Sequence, residues 1–367
     1  MKNKKIYVLM EDDTEIFGNG TGHIMYRMYL PVVRYVELLR NYKVKSTFYI
    51  DMAHWLFLRD NLKFQDFSLQ ADLVEKTILH LLDNGMEVQL HLHSQWANAR
   101  IENNVVKVTE KWNIGQLAAE DQKKMFLEGS KCLQEIISSS ENQNLFNSFK
   151  AGSWGIQPFN VLYDDFKDKG VKLVLGPTKG LKLPALDLDY SDMESEITPY
   201  YCSKDDINRI GNKKEIVVIP MTPTYLNWID LARYLFHVKF KGFMEGHDKD
   251  MDIYGIPENI IHMNPVTNRD IILSFKMPYK THLKMNKQPF WYLRKTFKRA
   301  YDLVLENDFD YKLIVLETHT KDFKNVFGDI DRFLAYLTKN YKNIEFVTTS
   351  EVVQHIEDGK LVPLMKK

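Results

Sequence analysis

The chain has 367 residues, 44% of them hydrophobic and 27% charged, which argues against disorder and allows either one large α/β barrel or two ordinary domains. Lys plus Arg and Asp plus Glu number 49 each, so the positive field of a protein built to bind nucleic acid is missing. The opening apolar run stops at Glu11, too early for a signal peptide, and no later stretch of about eighteen apolar residues could span a membrane. Cys132 and Cys202 lack any metal-motif partner and read as free thiols, so a cytoplasmic protein is expected. Nothing in the sequence sets an oligomeric state.

In chain order, residues 6–10 read as a strand, 25–41 as an amphipathic helix, 45–50 as a strand, 69–84 as a helix and 87–93 as a strand. The β-α rhythm continues with a long helix at 116–137, a strand at 149–151, a helix at 158–169 and a strand at 171–175. Between 177 and 289 it falters: a strand at 216–220 and another at 271–275 stand among Pro, Gly, Asn and Asp. It resumes with a helix at 291–306, a strand at 312–317, a helix at 323–340, a strand at 344–347 and a last helix beginning at Ser350. Parallel strands followed by helices, with no glycine-rich phosphate loop after the first strand, predict a (β/α) barrel in preference to a dinucleotide-binding sheet. No linker divides the chain, so residues 1–367 are taken as one domain with an insertion around 177–289.

Polar residues gather at the ends of these strands. In 87–93 the period of two puts Glu87, Gln89, His91 and His93 on one face and Val88, Leu90 and Leu92 on the other. His91 and His93 therefore point the same way from the strand's C-terminal end, where two imidazoles can share a metal ion; an isolated pair of this kind is more often satisfied by hydrogen bonds alone. The first strand runs into Glu11, Asp12, Asp13 and Glu15, carboxylates that would repel one another unless solvated or held by a cation. A third strand end carries Glu317, Thr318 and His319, adding a distant titratable imidazole.

The segments MEDDTE, STFYID, EVQLHLHSQW, FKAGSW and LETHTKDF resemble, in order and approximate spacing, the motifs of the polysaccharide deacetylase superfamily, the carbohydrate esterase family four and its divergent relatives. The resemblance covers nearly the whole chain and implies a distorted seven- or eight-stranded deacetylase-type barrel. It implies a catalytic aspartate and a metal-binding carboxylate from the first motif, metal-binding histidines His91 and His93 from the second, and His319 as general acid. Two registers fit the first motif: Asp12 as base with Asp13 as ligand, or Asp13 as base with Glu15 as ligand. The histidines are separated by one residue where the family commonly has three, and Gln95 stands where strict counting places the second. Lys150 takes the position of an arginine that commonly holds the catalytic aspartate, without that side chain's bidentate fork.

The expected function is metal-dependent removal of an N-acetyl group from an amino sugar, with zinc the divalent ion best suited to two imidazoles and a carboxylate. The resemblance suggests a carbohydrate substrate and a part in building surface polysaccharide. Trp96 and Trp154 are candidate platforms for a sugar ring, or else core. Alternatives are an amidohydrolase of small non-carbohydrate amides and an inactive carbohydrate-binding barrel. The glycines of 18–22, followed by His23, read as a loop or turn at the same mouth. Asp248, Asp250 and Asp252 imitate a calcium loop but lack its glycine and closing glutamate, and the basic stretch 294–299 reads as an exposed amphipathic helix.

Overall fold

The apolar run at the start of the chain is the first half of a nine-residue strand, β1 (Ile6–Thr14), which continues through the carboxylates rather than stopping before them. Neighbouring strands make this possible by taking up the backbone groups of the acidic half. In this computed structural model, which describes residues 5–18, 20, 22–102, 105–245, 279–307, 312–323 and 326–366, the strands β2 (Thr47–Asp51), β3 (Glu87–Leu92), β4 (Ser148–Ala151), β5 (Leu173–Leu175), β6 (Val217–Ile219), β7 (Lys284–Met285), β8 (Leu313–Thr318) and β9 (Ile344–Val347) join it in one sheet.

The sheet order is β6-β5-β4-β3-β2-β1-β8-β7, every neighbouring pair parallel, with the short strand Tyr200–Tyr201 antiparallel on the far edge of β6. One edge of β1 is shared. Its first half pairs with β9 (Ile6 with Ile344) and its second half with β2 (Glu11 with Thr47), while β8 runs along the other edge. The sheet curls into a half-barrel, the distorted (β/α) barrel that the strand rhythm predicts, and no ladder among the described residues joins its two ends.

Alternation along the strands separates two apolar layers. Val8 and Met10 of β1, Phe48 and Ile50 of β2, and Val88, Leu90 and Leu92 of β3 pack outward against the helices. Tyr7, Leu9, Tyr49, Leu173, Leu175, Val217, Ile219, Leu313, Val315 and Val347 fill the inside of the curl. The outer helices are α1 (Leu30–Asn41), preceded by a π-helical turn at Met25–Tyr29, α2 (Met52–Asp60), α3 (Gln65–Asp83), α4 (Ala119–Ser138) and α5 (Asn160–Asp168). α2 is not evident from the sequence, because it starts directly at the end of β2; the Asp51 carboxylate caps it by accepting from the Ala53 amide at 3.2 Å.

Within 177–289 the structure adds a helix, α6 (Trp228–Glu245), and a two-stranded antiparallel ladder of Pro223–Leu226 with Tyr279–His282, neither expected from the sequence. The expected strand at 271–275 and the run Asp248, Asp250 and Asp252 lie outside the described residues. The C-terminal part brings α7 (Phe290–Glu306), α8 (Phe327–Asn340) and α9 (Thr349–Glu357). The basic stretch on α7 is structural in part: Lys295 and Arg299 both pair with the buried Asp230 of α6.

The inward side chains of β3 show how the barrel is tied together. Glu87 receives the Ser350 amide at 3.0 Å and the Thr349 hydroxyl, placing a carboxylate at the N-terminus of α9. Gln89 accepts from the amides of Asn147 and Ser148, both at 3.1 Å, and so locates β4. Replacing Glu87 by alanine orphans the amides and hydroxyl it serves. Denaturant unfolding of Glu87→Ala is expected to show a loss of about 2 kcal/mol, and an unchanged midpoint would refute this anchoring role.

Candidate active site

The inner face of β1 changes character along its length: Tyr7 and Leu9 lie in the apolar filling, and Glu11 and Asp13 follow at the C-terminal end, with Glu15 just beyond. All three carboxylates are buried. A buried carboxylate without a partner costs several kcal/mol, so the groups that meet them define the site.

Glu15 meets His91 and His93. Their potential ligand atoms all lie within 4.8 Å of one another, in buried positions. His91 Nδ1 is 2.8 Å from the Lys150 carbonyl and donates to it, which turns the Nε2 lone pair toward Glu15 Oε2 at 3.4 Å. Gln95 lies behind His93 in the same way: its Nε2 donates to the Gly18 carbonyl at 2.8 Å, and His93 Nδ1 sits 2.8 Å from its Nε2 and 3.1 Å from its Oε1, while His93 Nε2 contacts Glu15 Oε2. Gln95 thus stands behind His93 instead of replacing it. The glycine after β4 is required by packing, since a Cβ on Gly152 would lie 2.7 Å from His93 Nδ1.

His91 Nε2 is buried and makes no hydrogen bond among the described residues, and it converges with His93 Nε2 on the buried Glu15 Oε2. Two imidazoles and one carboxylate so placed, each ring steered from behind, are a donor set that fits a divalent cation. Burial by itself would raise the Glu15 carboxyl, but His93 and Lys321 outweigh it and hold it well below the usual carboxylate range. Burial opposes a proton on His93, and the Glu15 carboxylate beside it pushes that imidazole up to about 9.

A second group surrounds Lys150. Its fully buried Nζ lies 2.7 Å from Asp13 Oδ1, 2.8 Å from Glu11 Oε1 and 2.9 Å from Glu317 Oε1. Despite burial, Asp13, Glu11 and Glu317 hold this ammonium well above its ordinary value. Burial also works against ionisation of Asp13, yet Lys150, His91 and His319 keep its carboxyl below the usual range, whereas burial prevails at Glu11 and pushes that carboxyl up. His319 Nε2 is 3.4 Å from Asp13 Oδ2, and its Nδ1 lies 3.0 Å from the Asn286 side-chain amide. Burial lowers His319, but the hydrogen bond to Asp13 and the Glu317 charge raise it above the ordinary imidazole value. Asp13, Glu317 and His319 also form a compact cluster of potential ligands, but an ammonium already bridges its two carboxylates.

Of the residues singled out from sequence, Asp13, Glu15, His91, His93, Lys150 and His319 meet at this mouth. Asp12 points the other way, as its odd spacing from Asp13 dictates. Its carboxylate accepts from the hydroxyls of Thr14 (2.8 Å), Thr318 (2.7 Å) and Thr320 (3.0 Å) and from the Thr320 amide (2.9 Å), leaving it saturated and structural. Trp96 is packed inside, stacked on His54 with ring centroids 4.2 Å apart, where burial pushes His54 down to about 3. Trp154 is partly exposed and gives Nε1 to Glu317 Oε1 at 3.0 Å. Ser153 and Trp154 hold φ values of 53° and 57°, a left-handed pair that places this indole at the cost of roughly 1–3 kcal/mol each.

Sequence reasoning gave no role to His282, Asn286 or Lys321 in the site; it named Glu11 only among the clustered carboxylates, Glu317 only at its strand end, and Gln95 only at the counted position of the second histidine. The alternation that selects Asp13 also selects Glu11, and the strand that ends in His319 carries Glu317. His282 and Asn286 come from the short strand Tyr279–His282 and the turn after β7, for which no periodicity speaks. In the 18–22 segment, Gly18 packs on Trp112 and supports Gln95, and His23 is buried against Asp66.

No family model matches the sequence, and no curated protein does. Solved structures do match. A protein described as a polysaccharide deacetylase from Mycobacterium smegmatis is 13% identical, with 100% of this chain and 96% of that chain covered and a TM-score of 0.53. One described as a polysaccharide deacetylase from Pseudomonas aeruginosa is 11% identical over 97% and 92%, with a TM-score of 0.50. The allantoinase PuuE is 12% identical over the same shares, also with a TM-score of 0.50. The chain therefore belongs by its fold among the deformed (β/α) barrels. Within that class it has the polysaccharide-deacetylase fold.

Gly152→Ala should push the His93 ring aside while keeping every ligand. Zinc affinity measured by competition with a chromophoric chelator is expected to fall roughly 10- to 100-fold, and affinity equal to that of the unaltered chain would show that the ring does not need this clearance.

Proposed function

We propose that this protein is a metal-dependent hydrolase that removes an N-acetyl group from an amino sugar or a polysaccharide precursor. The observation that carries the reading is the convergence of the buried His91 Nε2 and His93 Nε2 on Glu15 Oε2, next to the Asp13–His319 pair. This arrangement favours the register in which Asp13 is the base and Glu15 a ligand. Asp13 as a ligand and Asp12 as a base are both disfavoured, the first because Lys150 holds Asp13, the second because four hydrogen bonds saturate Asp12.

Glu15, His91 and His93 would hold a divalent ion, zinc by preference, which when bound would supply Lewis acidity toward an acetyl carbonyl and water. Asp13 stays ionised beside Lys150 and takes the proton of the attacking water. Lys150 positions that carboxylate. His319, oriented by Asn286 and carrying a proton, donates to the departing sugar nitrogen, so acetate and a free amine leave. The partly exposed Trp154 offers an aromatic edge to the sugar, whereas Trp96 has little surface to give. A surface-polysaccharide precursor in the cytoplasm is the substrate source we favour; among the described residues no helix is long and apolar enough to cross a membrane. The allantoinase among the structural neighbours favours one alternative, a small non-carbohydrate amide.

His319→Ala is expected to lower acetate release from N-acetylated chito-oligosaccharides by about 10²–10⁴-fold with zinc content unchanged, and His91→Ala to lose the metal itself. Loss of zinc from both variants would remove the separation of roles, and acetate release from N-acetylated amines or ring opening of allantoin, with no acetate released from sugars, would favour the small-amide reading. The pH profile follows from signs. Asp13 is held low, so the base form survives into acid; His319 is raised, so the acid form persists below its raised value and is lost as pH rises through it. The alkaline limb of kcat/KM should therefore lie above the ordinary imidazole value of about 6.5 and vanish in His319→Ala. A limb at or below that value would contradict the assignment.

A further inference from the structure

Amide hydrolysis by the proposed route needs one base and one acid, yet the site holds a second imidazole backed by a carboxylate. Contacts run unbroken from His319 through Asp13, Lys150 and Glu317 to His282. Glu317 is fully buried: Oε1 receives Lys150 Nζ and the Trp154 indole, and Oε2 meets His282 Nε2. The Trp154 and His282 rings stand edge to face at 5.4 Å, and Tyr190 donates to the Trp154 carbonyl at 2.6 Å. The strand Tyr279–His282 ends at this point, and Leu283 bonds on both sides, its amide to the Thr222 carbonyl and its carbonyl to the Glu317 amide. His282 is therefore fixed at its backbone, and its side chain and that of His319 keep similar small exposures, 11% and 14%.

The geometry points to His282 as a substrate-recognition residue whose Nδ1 accepts a hydrogen bond from an uncharged hydroxyl of the sugar that carries the acetamide. With Nε2–H donated to Glu317, Nδ1 is the acceptor of the neutral ring. Burial lowers the His282 pKa against the pull of Glu317, in keeping with a neutral imidazole. Asp13 and Glu317 share a single ammonium beside this ring, leaving an excess of negative charge, so a phosphate or carboxylate would be repelled where a hydroxyl is accepted. The inference rests on the proposed carbohydrate substrate and narrows it to neutral sugars.

Calorimetric titration of triacetylchitotriose into the zinc-loaded full chain tests it, with His282→Ala, His282→Gln and His282→Asn as variants and zinc content measured in each. Asparagine can keep an acceptor near the place of Nδ1, whereas glutamine keeps only a group near Nε2 for Glu317. We expect affinity to fall roughly tenfold in the Ala and Gln variants and to be retained in the Asn variant, with zinc content equal throughout. No binding by the unaltered chain, equal binding by all four proteins, or an Asn variant as weak as the Ala variant would overturn the inference. Acetate release assayed in the same samples keeps the two readings apart: sugar bound through His282 but never deacetylated would sink the hydrolase reading and leave this one standing.

Discussion

One buried ammonium holds the mouth of this barrel together. Lys150 Nζ stands within 2.9 Å of Asp13, Glu11 and Glu317, with the apolar filling of Tyr7, Leu9 and Tyr49 below it. Without a cation there, three carboxylates in a water-poor site would repel one another and take up protons, and Asp13 could not remain a base. A lysine does for three carboxylates what an arginine fork does best for one: a compact point charge can be approached from several directions. Its backbone also matters, because the Lys150 carbonyl fixes the tautomer of His91. The carboxylate cluster around Lys150 and the Glu15–His91–His93 cluster are thus coupled through one residue of β4.

The fold accomplishes this by putting strand ends side by side. In the parallel sheet β1 lies between β2 and β8, and β4 beside β3, so Asp13, His91, Lys150 and Glu317 all emerge at the same C-terminal rim. Alternation then sorts them. Outward neighbours of these residues are apolar and face helices, and Asp12, on the outer side, is spent on three threonines. Supporting groups come from less regular pieces: Gln95 from a 3₁₀ turn, Asn286 from the turn after β7, His282 from the end of a four-residue strand outside the main sheet. Such pieces can aim a side chain where a strand's fixed pitch would not, and here each backs an imidazole or a carboxylate.

Much of this was legible in the residues. The strand-helix rhythm places eight of the nine parallel strands correctly to within a few residues, and the period of two in 87–93 separates His91 and Gln89 from Val88 and Leu90 as the packing does. The same rule applied to Glu11, Asp12, Asp13 and Glu15 would have set Asp12 apart. Counting four carboxylates as one crowd overlooked it. Helix α2 escaped notice because its apolar residues follow a strand without a break, and α6 because its solvent side carries Trp228, Ile229 and Phe236, against the usual amphipathic pattern.

The sequence by itself determined which residue types are available and on which side of each strand they fall, because alternation is a property of the local backbone and needs no knowledge of neighbours. Tertiary structure alone decided the partnerships. That Glu15 belongs with His91 and His93, that Lys150 serves three carboxylates, and that His282 reaches Glu317 all depend on strand order and on the pairing of Tyr279–His282 with Pro223–Leu226. Electrostatic roles follow the same division: burial and charged neighbours set the protonation of Asp13 and His319, and both arise only when distant segments close around them.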